Sequence, residues 1–244
     1  MDEPRTAIVT GAGKRVGRHI AEALIADGWT VVGHVHHDED AVPEGAVKVV
    51  TDLAEIDCAK RIFAVAAGLP PVRLLVNNAA RFSNDGIGNF EVDEFDAHMA
   101  VNVRAPAMLS EAFAFNHKGG DGLIVNLLDA KLAAPNPDYL SYTLSKQALA
   151  GLTDLSARAY STCGIRVNGI APALMLRSPG QSDGNFAAMH AHNPLGRGVM
   201  PDDVVTALRY LIGAATVTGQ ILTIDGGQRF LALDRDVQFL GESE

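Results

Sequence analysis

Short apolar runs alternate with longer amphipathic stretches along most of the chain. Seven runs are typical of strands, and several lack polar alternation, as strands buried on both faces do. These runs cover residues 7–9, 29–34, 47–50, 74–76, 123–128, 164–172 and 220–224. Apolar positions at helical spacing lie between them, within residues 20–26, 58–67, 95–115, 142–160 and 201–213. The alternation predicts an α/β fold with a doubly wound sheet of about seven parallel strands and helices on both faces.

Two stretches lack a clear period. Residues 173–195 form a long irregular segment, and because such loops in a compact domain are usually functional, we expect a substrate loop that acts as a lid. The C-terminal tail, residues 228–244, keeps apolar residues such as Phe230 and Phe239, so we expect it to pack on the body of the protein. We find no repeat or linker, which predicts one domain over residues 1–244.

Composition narrows the function classes. The 244 residues are 48% hydrophobic and 20% charged, as in an ordinary soluble globule. A net charge of -9 argues against a protein that follows nucleic-acid phosphates, although a local basic pocket stays possible. The two cysteines suit neither a disulfide framework nor a zinc site, so we expect a reducing cytoplasm. Neither a signal core nor a membrane span is apparent.

A glycine turn follows the first predicted strand. Residues 10–17 read Thr-Gly-Ala-Gly-Lys-Arg-Val-Gly and lead into a helix, an arrangement that offers backbone N–H groups to a phosphate. Gly11 and Gly13 would let the backbone approach a pyrophosphate, and Gly17 would let the helix pack on the strand. The spacing differs by one residue from the common Gly-x-Gly-x-x-Gly fingerprint, so a plain tight turn is the alternative.

The end of the second strand is where such folds bind the adenosine ribose. Here His34, His36 and His37 precede Asp38, a mixed set that could also suggest metal ligands. We expect histidines near a ribose or in solvent instead, because the sequence places no further ligand. Positive charge from Lys14 and Arg15 favours NADPH over NADH. Asp52, after the third strand, is expected to accept from the adenine amino group or to cap the next helix.

Tyr142 and Lys146 lie four residues apart and therefore share one face of a predicted helix. An ammonium beside a phenol lowers the phenol's pKa, which would prepare Tyr142 for proton transfer near neutral pH. A solvated helix face is the alternative for this pair alone. Phe82 near the end of the fourth strand could stack on a flat ligand or plug its loop, and Asn102 within a helix could open that helix locally.

Several segments in order resemble the short-chain dehydrogenase/reductase family, which the sequence matches from end to end. They are residues 10–17, Asp52, residues 77–79, Asn102, Tyr142 with Lys146, residues 166–168 with Pro172, and residues 225–227. The resemblance implies a Rossmann-like fold and hydride transfer from a reduced nicotinamide. Lys146 would hold the nicotinamide ribose, Tyr142 would donate the proton and Asn102 would position a water near Lys146.

A narrower resemblance is to pteridine and dihydromonapterin reductases. Arg15 stands where most of the family has glycine, and Asp129 where most has serine. Residues 34–36 are similar to their His-Tyr-His, and Phe82 aligns with a phenylalanine that stacks on the pterin. Three departures are Ala80 in place of a frequent serine, Ala173 in place of a frequent glycine, and His37-Asp38 in place of Arg-Ser. Asp38 would repel a 2′-phosphate if it pointed inward.

The resemblance implies a full set of site residues. Catalysis would use Tyr142, Lys146, Asp129 and Asn102. The cofactor would contact Gly11, Gly13, Lys14, Arg15, Val16, Gly17, His36, His37, Asp52, Leu53, Asn78, Ala79, Ala80, Lys146, Pro172 and Leu174. The substrate would contact Arg15, Phe82, Asp129, Tyr142 and Leu176. We expect no metal, no nucleic acid and no membrane partner. A homotetramer is implied, with Arg229 of the tail as a candidate contact at a neighbour's active site.

The carboxylate of Asp129 favours one class of substrate over another. A ketone gains negative charge as hydride arrives, which a carboxylate opposes, whereas a C=N bond gains a proton on nitrogen, which a carboxylate favours. We therefore expect a dihydropterin of the dihydromonapterin, dihydrobiopterin or dihydrofolate type. The alternatives are a carbonyl, sugar or acyl oxidoreductase in which Asp129 only bonds nearby backbone, and, in another class, a nucleotide-binding protein without turnover.

Overall fold

Seven parallel strands form one sheet in the computed structural model, which describes residues 3–177 and 181–240. The strand order is β3-β2-β1-β4-β5-β6-β7, and every neighbouring pair is parallel. The strands are β1 Thr6–Val9, β2 Thr30–Val35, β3 Val47–Val50, β4 Val72–Asn77, β5 Gly122–Leu127, β6 Ile165–Pro172 and β7 Ile221–Ile224. The predicted fold class is confirmed.

Helices cover both faces of the sheet because successive strand side chains point to opposite sides. The helices are α1 Arg15–Ala26, α2 Cys58–Ala66, α3 Val92–Met99, α4 Ala105–Asn116, α5 Leu140–Tyr160, α6 Asp183–His190 and α7 Pro201–Gly213. Ala7 and Val9 pack in the core that α1 and α7 share, whereas Ile8 packs in the core beneath α2 and α4. A strand buried on both faces needs a continuous apolar run, which is the pattern that predicted it.

The helix predicted over residues 95–115 is divided into three parts. α3 ends at Met99, a wider π-helical turn spans Ala100–Arg104, and α4 begins at Ala105. The predicted local opening at Asn102 is confirmed, because this residue lies within the π-helical turn. Such turns are rare and often mark functional sites.

The segment predicted as an irregular loop, residues 173–195, contains the helix α6. Ser182 caps it by accepting a hydrogen bond from the Asn185 backbone N–H at 3.1 Å, so the prediction of a loop without helix was wrong. The tail packs on the body as expected, with short 3₁₀ turns at Gln228–Leu231 and Val237–Phe239. Residues 178–180 of the loop and 241–244 of the tail lie outside the described residues. Across the described ranges, helices lack either the length or the apolar character to cross a membrane.

The order in which successive strands add to the sheet reverses between β1 and β4. Strands β1 to β3 extend the sheet one way, and β4 to β7 extend it the other way. The crossovers on the two sides diverge at this point and leave a crevice at the carboxyl ends of the strands, where ligands bind in doubly wound sheets. The topology thus places the ends of β1, β4 and β5 around one cleft.

Candidate active site

A cleft of about 790 Å³ opens at the carboxyl edge of the sheet. Of the residues predicted for cofactor, substrate and catalysis, all except Asn102 line it. The cleft is also lined by residues that sequence reasoning did not select: His34, Val35, Asp40, Arg81, Val101, Leu127, Leu128, Ala173 and Met175. The geometry therefore brings the predicted residues together, while the role of each stays a prediction.

The glycine turn is closely packed. Gly11 has a positive φ of 67°, and a Cβ atom added at Gly17 would lie 2.1 Å from the Gly11 carbonyl oxygen. Thr10 joins this turn to the end of β4, because its hydroxyl accepts from the backbone N–H groups of Asn78 and Ala79 at 3.0 Å each. α1 begins directly after the turn at Arg15, and the Lys14 side chain does not cap it. The first-turn N–H groups are therefore suited to a phosphate.

Replacing Gly17 with alanine is expected to lower the free energy of unfolding by about 1–3 kcal/mol, because the added methyl group would overlap backbone. Urea denaturation measures the change. Gly151→Ala is the matched control, since a Cβ there meets nothing within 4 Å. In the interior of α5 it should stabilise by about 0.5–1 kcal/mol. Equal effects of the two variants would contradict the close packing at Gly17.

Arg15 adopts an unusual backbone conformation, with a φ of 51° in the left-handed region that favours glycine. Its guanidinium donates to the carbonyl oxygens of Leu176 at 3.3 Å and Arg177 at 3.0 Å. The side chain therefore ties the phosphate-binding turn to the segment after β6. Its predicted contact with both cofactor phosphate and substrate stays a prediction.

His34 is buried rather than in solvent, and its ring connects the end of β2 to two other segments. Its Nδ1 accepts from the Gly11 backbone N–H at 3.1 Å, and its Nε2 lies 2.9 Å from the Thr51 carbonyl oxygen. Burial lowers the pKa of His34, which favours the neutral ring that these two bonds require. Among the described residues no group of three potential ligands could hold a metal ion.

The acidic residues near the predicted ribose site point in different directions. Asp38 has a carboxylate that is 96% exposed and 3.6 Å from Lys48 Nζ, outside the cleft lining, so it does not point inward. Asp40 lines the cleft and accepts from the His37 backbone N–H at 3.2 Å. Asp52 accepts from the Ala54 N–H at 2.8 Å, and since α2 begins only at Cys58, the predicted helix-capping role is wrong.

Three titratable side chains meet at the inner end of the cleft. The Tyr142 hydroxyl donates to Asp129 Oδ2 at 2.9 Å, and the Lys131 backbone N–H donates to Asp129 Oδ1 at 2.8 Å. Lys146 Nζ donates to the Leu127 carbonyl oxygen at 2.6 Å and lies 5.7 Å from the centre of the Tyr142 ring. The end of β5 and the first turns of α5 thus bring together three side chains that can exchange protons.

The pKa of Tyr142 is raised well above its usual value, first by burial and then by the Asp129 charge. This contradicts the lowering expected from Lys146, because the phenol bonds to a carboxylate while the ammonium bonds to a backbone carbonyl. Burial also raises the pKa of Asp129 and lowers the pKa of Lys146 to about 8. Tyr142 is therefore protonated at neutral pH, which is the state that a proton donor needs, and does not exist as a phenolate.

Asn102 uses its side chain to hold two elements together. Its Oδ1 accepts from the Arg81 N–H at 2.7 Å, and its Nδ2 donates to the Arg81 carbonyl at 3.0 Å and to Ser145 Oγ at 2.9 Å. Both amide hydrogens therefore bond to the protein, and neither points to a water near Lys146. The predicted water-positioning role stays a prediction, and the observed contacts join the segment after β4 to α5.

Phe82 lies in the segment after β4 and packs against the start of α5. Its ring stacks on Tyr139 at a centroid distance of 4.4 Å and meets the edge of Tyr142 at 4.8 Å, and 40% of the residue remains exposed. Both neighbours of Phe82 bond to Glu94: Arg81 through two hydrogen bonds of 2.6 and 3.0 Å, and Ser83 at 2.6 Å. Arg81 first, and then Ser83, lower the pKa of Glu94 to about 2. The ring is therefore held at the cleft.

A second cavity of about 130 Å³ adjoins the cleft, and Phe82, Asp129 and Tyr142 line both. The tail of the same chain covers it: the Tyr139 hydroxyl donates to Gln238 at 2.6 Å, and Lys131 lies 3.3 Å from Asp236. This closure was not predicted, since nothing local in the tail names its distant partners. Arg229 lines the cavity and pairs with Asp225 at 2.9 Å, and its contact with a neighbouring chain stays a prediction.

Three features define the class of protein. They are the glycine turn at the first crossover, the long cleft, and the buried tyrosine and lysine at the inner end of that cleft. A phosphate-binding turn holds one end of a dinucleotide, and proton-exchanging groups stand where the other end would lie. The protein is therefore a dinucleotide-dependent oxidoreductase.

Comparison with known proteins gives the family. A family model described as enoyl-(acyl carrier protein) reductase matches residues 11–229. L-xylulose reductase from Bos taurus is 33% identical over 241 residues, covering 93% of this chain and 97% of that protein. Pteridine reductase 1 from Leishmania tarentolae is 31% identical over 279 residues, covering 91% and 95%. The chain belongs to the short-chain dehydrogenase/reductase family and is an NAD(P)-dependent enzyme.

A solved structure supports the same assignment. FolM alternative dihydrofolate reductase 1 from Brucella suis, in complex with NADP, matches with a TM-score of 0.85 at 31% identity, covering 92% of this chain and 95% of that one. The resemblance to pteridine reductases stated from the sequence is thereby confirmed.

Proposed function

We propose that the protein is an NADPH-dependent reductase of a dihydropterin, with Tyr142 as the proton donor. The observation that carries the proposal is the hydrogen bond of 2.9 Å from Tyr142 to Asp129, beside the exposed ring of Phe82. A carboxylate in contact with the proton donor suits a C=N bond that must gain a proton, and an aromatic ring at the cavity suits a flat ligand.

The cleft fits the cofactor. The uncapped first turn of α1 suits the pyrophosphate, and Lys14, His36 and His37 line the end where a 2′-phosphate would lie. Asp38 points away from this end, which removes the repulsion expected from the sequence. NADPH, when bound, supplies the hydride. Lys146 would then bind the nicotinamide ribose, as its place at the inner end of the cleft allows.

The protein's own groups would move the proton. Tyr142 holds the proton because its pKa is high, and it is bonded to Asp129, whose pKa burial raises. With Asp129 protonated, as its raised pKa favours, Tyr142 would donate its proton to the substrate nitrogen and take one from Asp129, which is left as the carboxylate.

A second candidate function is reduction of a carbonyl or sugar substrate. Similarity to L-xylulose reductases favours it, and a tyrosine that keeps its proton at neutral pH can also donate it to a ketone oxygen that gains negative charge. In this case Asp129 would only fix the Tyr142 hydroxyl and the Lys131 backbone. Membership of an enzyme family argues against the third hypothesis, a nucleotide-binding protein without turnover.

The test is NADPH oxidation with dihydromonapterin, dihydrobiopterin and dihydrofolate, beside a panel of ketones and sugars and with NADH as competing cofactor. We expect turnover of at least one dihydropterin with NADPH at a higher kcat/KM than with any ketone. Turnover of ketones alone would leave Tyr142 and Lys146 in their roles and would overturn the pterin assignment.

Replacing Phe82 with alanine is expected to raise KM for a dihydropterin by a factor of about 2–13, since an aromatic pair contributes about 0.5–1.5 kcal/mol beyond area burial. KM for a small ketone should change little. Phe90→Ala is the matched control, because Phe90 is 47% exposed and lines neither cavity. Similar KM changes for pterin and ketone would remove the stacking role of Phe82.

We also propose the homotetramer that the resemblance implies. Apolar side chains stand exposed on two neighbouring helices, among them Phe115 on α4, at 85%, and Leu155 on α5, at 65%. Association of copies through these helices would cover them. Light scattering coupled to size-exclusion chromatography measures the assembly.

A further inference from the structure

Asp85 is a buried carboxylate that the proposed chemistry does not use. It is 2% exposed, although it lies in the irregular segment between β4 and α3. Its side chain accepts two hydrogen bonds from Ser141, from the backbone N–H at 2.9 Å and from the hydroxyl. Its backbone carbonyl accepts from the Leu140 N–H at 3.2 Å.

These bonds replace a cap that α5 lacks. A helix begins with N–H groups that have no partner within the helix, and a side chain just before the helix usually accepts from them. Tyr139 holds that place in a left-handed conformation, with a φ of 54°, and its hydroxyl donates to Gln238 instead. Asp85 therefore supplies the acceptors from 56 residues away, and its charge favours the positive end of the helix dipole.

The position of Asp85 links the two segments that form the substrate site. Ser141 directly precedes Tyr142, and Phe82 lies three residues before Asp85 in the same segment. Phe82 meets Tyr142 edge to face at 4.8 Å. A single buried carboxylate thus fixes the first turn of α5 against the segment that carries the aromatic ring.

We propose that Asp85 is a positioning residue, which fixes the first turn of α5 and thereby holds the Tyr142 hydroxyl where it can donate its proton to the substrate. The proposal rests on the proton-donor role of Tyr142 but not on the identity of the substrate. Without Asp85 the buried Ser141 N–H and hydroxyl lose their acceptor, and the first turn of α5 shifts to find another. The glycine turn that would bind the cofactor phosphates lies on other elements, so we expect the loss of this contact to affect cofactor affinity less than kcat.

The experiment compares Asp85→Ala, Asp85→Asn and Ser141→Ala with a control, Asp121→Ala. Asp121 pairs with the buried Arg166 at 3.0 Å before β5, at the opposite edge of the sheet from the cleft. Each variant is assayed with whichever pterin or ketone the enzyme reduces, so failure of the pterin assignment does not affect this test. The measurements are kcat, KM, NADPH Kd by fluorescence, and the solvent deuterium isotope effect on kcat.

We expect Asp85→Ala to lower kcat by a factor on the order of 10–100, as small misplacements of reacting groups do. The solvent isotope effect should rise because proton transfer becomes limiting, while NADPH Kd should change far less than kcat. Asp85→Asn should recover most of kcat, since its amide oxygen still accepts from the Ser141 N–H, and Ser141→Ala should lose less than Asp85→Ala. Asp121→Ala should leave kcat and the isotope effect unchanged.

A loss of kcat in Asp85→Ala no larger than that in Asp121→Ala would overturn the proposal, as would an unchanged isotope effect. If Asp85→Ala does not fold, Ser141→Ala and Asp85→Asn carry the test. An unchanged isotope effect in Ser141→Ala would then count against positioning, and a raised one with intact NADPH affinity would support it.

Discussion

The Tyr142→Phe variant is expected to lose activity toward every substrate, with kcat reduced by a factor of about 10²–10⁴, the usual contribution of a general acid. The substitution removes one oxygen atom and keeps the ring against Phe82, so KM and NADPH Kd should change little. It also removes the donor to Asp129 Oδ2, and the buried carboxylate then holds its proton to still higher pH. Steady-state kinetics with the best substrate and a fluorescence titration with NADPH measure these quantities.

Tyr160→Phe is the control for this variant. Tyr160 ends the same helix, and burial raises its pKa too, but it lines neither cavity. Its removal should leave kcat unchanged. A Tyr142→Phe enzyme with more than about a tenth of the original kcat would show that another group donates the proton, since a general acid contributes at least about 10².

The sheet could be predicted from the sequence because its strands are buried on both faces. Such strands need continuous apolar runs, and the runs at β3 and β6 match the structure within a residue at each end. The glycine turn could be predicted equally well, since Gly11 and Gly17 mark a tight turn and a close backbone approach that require glycine. These features depend on neighbours in the chain.

The electrostatics of the site could not be predicted in this way. The spacing of Tyr142 and Lys146 places them on one helix face, which suggested a lowered phenol pKa. The decisive contact is with Asp129, on a different segment, and burial adds to it. Sequence spacing measures distance along one helix, whereas a pKa responds to every charge and to the loss of water around the group.

Contacts over long sequence separations account for the other differences. Asp85 gave no signal in a segment rich in glycine and asparagine, because its partner Ser141 is distant in the chain. His34 stood in a group of histidines that suggested solvent or ribose, yet its partners Gly11 and Thr51 bury it. The helix α6 did carry a local signal, the cap at Ser182, which the weak apolar period of that segment obscured.

Replacing Asp129 with serine is expected to separate the two candidate functions. For a dihydropterin, kcat/KM should fall by a factor of about 10² or more, since the variant lacks the group that supplies the proton to the C=N bond through Tyr142. For a ketone, kcat/KM should stay equal or rise, because a neutral hydroxyl no longer opposes charge that develops on oxygen. The measurement is kcat/KM for both substrate types with the original and the variant enzyme.

The pH dependence of pterin reduction tests whether Asp129 supplies the proton. Burial raises the pKa of Asp129, so the carboxyl keeps its proton to a higher pH than an ordinary aspartate does. Pterin reduction that uses this proton is fastest at low pH and declines as pH rises through the raised pKa. In Asp129→Ser, and equally in Asp129→Asn, this decline should disappear from the residual pterin activity. A variant that keeps both the full rate and the decline would show that Asp129 only orients Tyr142 and that the proton comes from elsewhere.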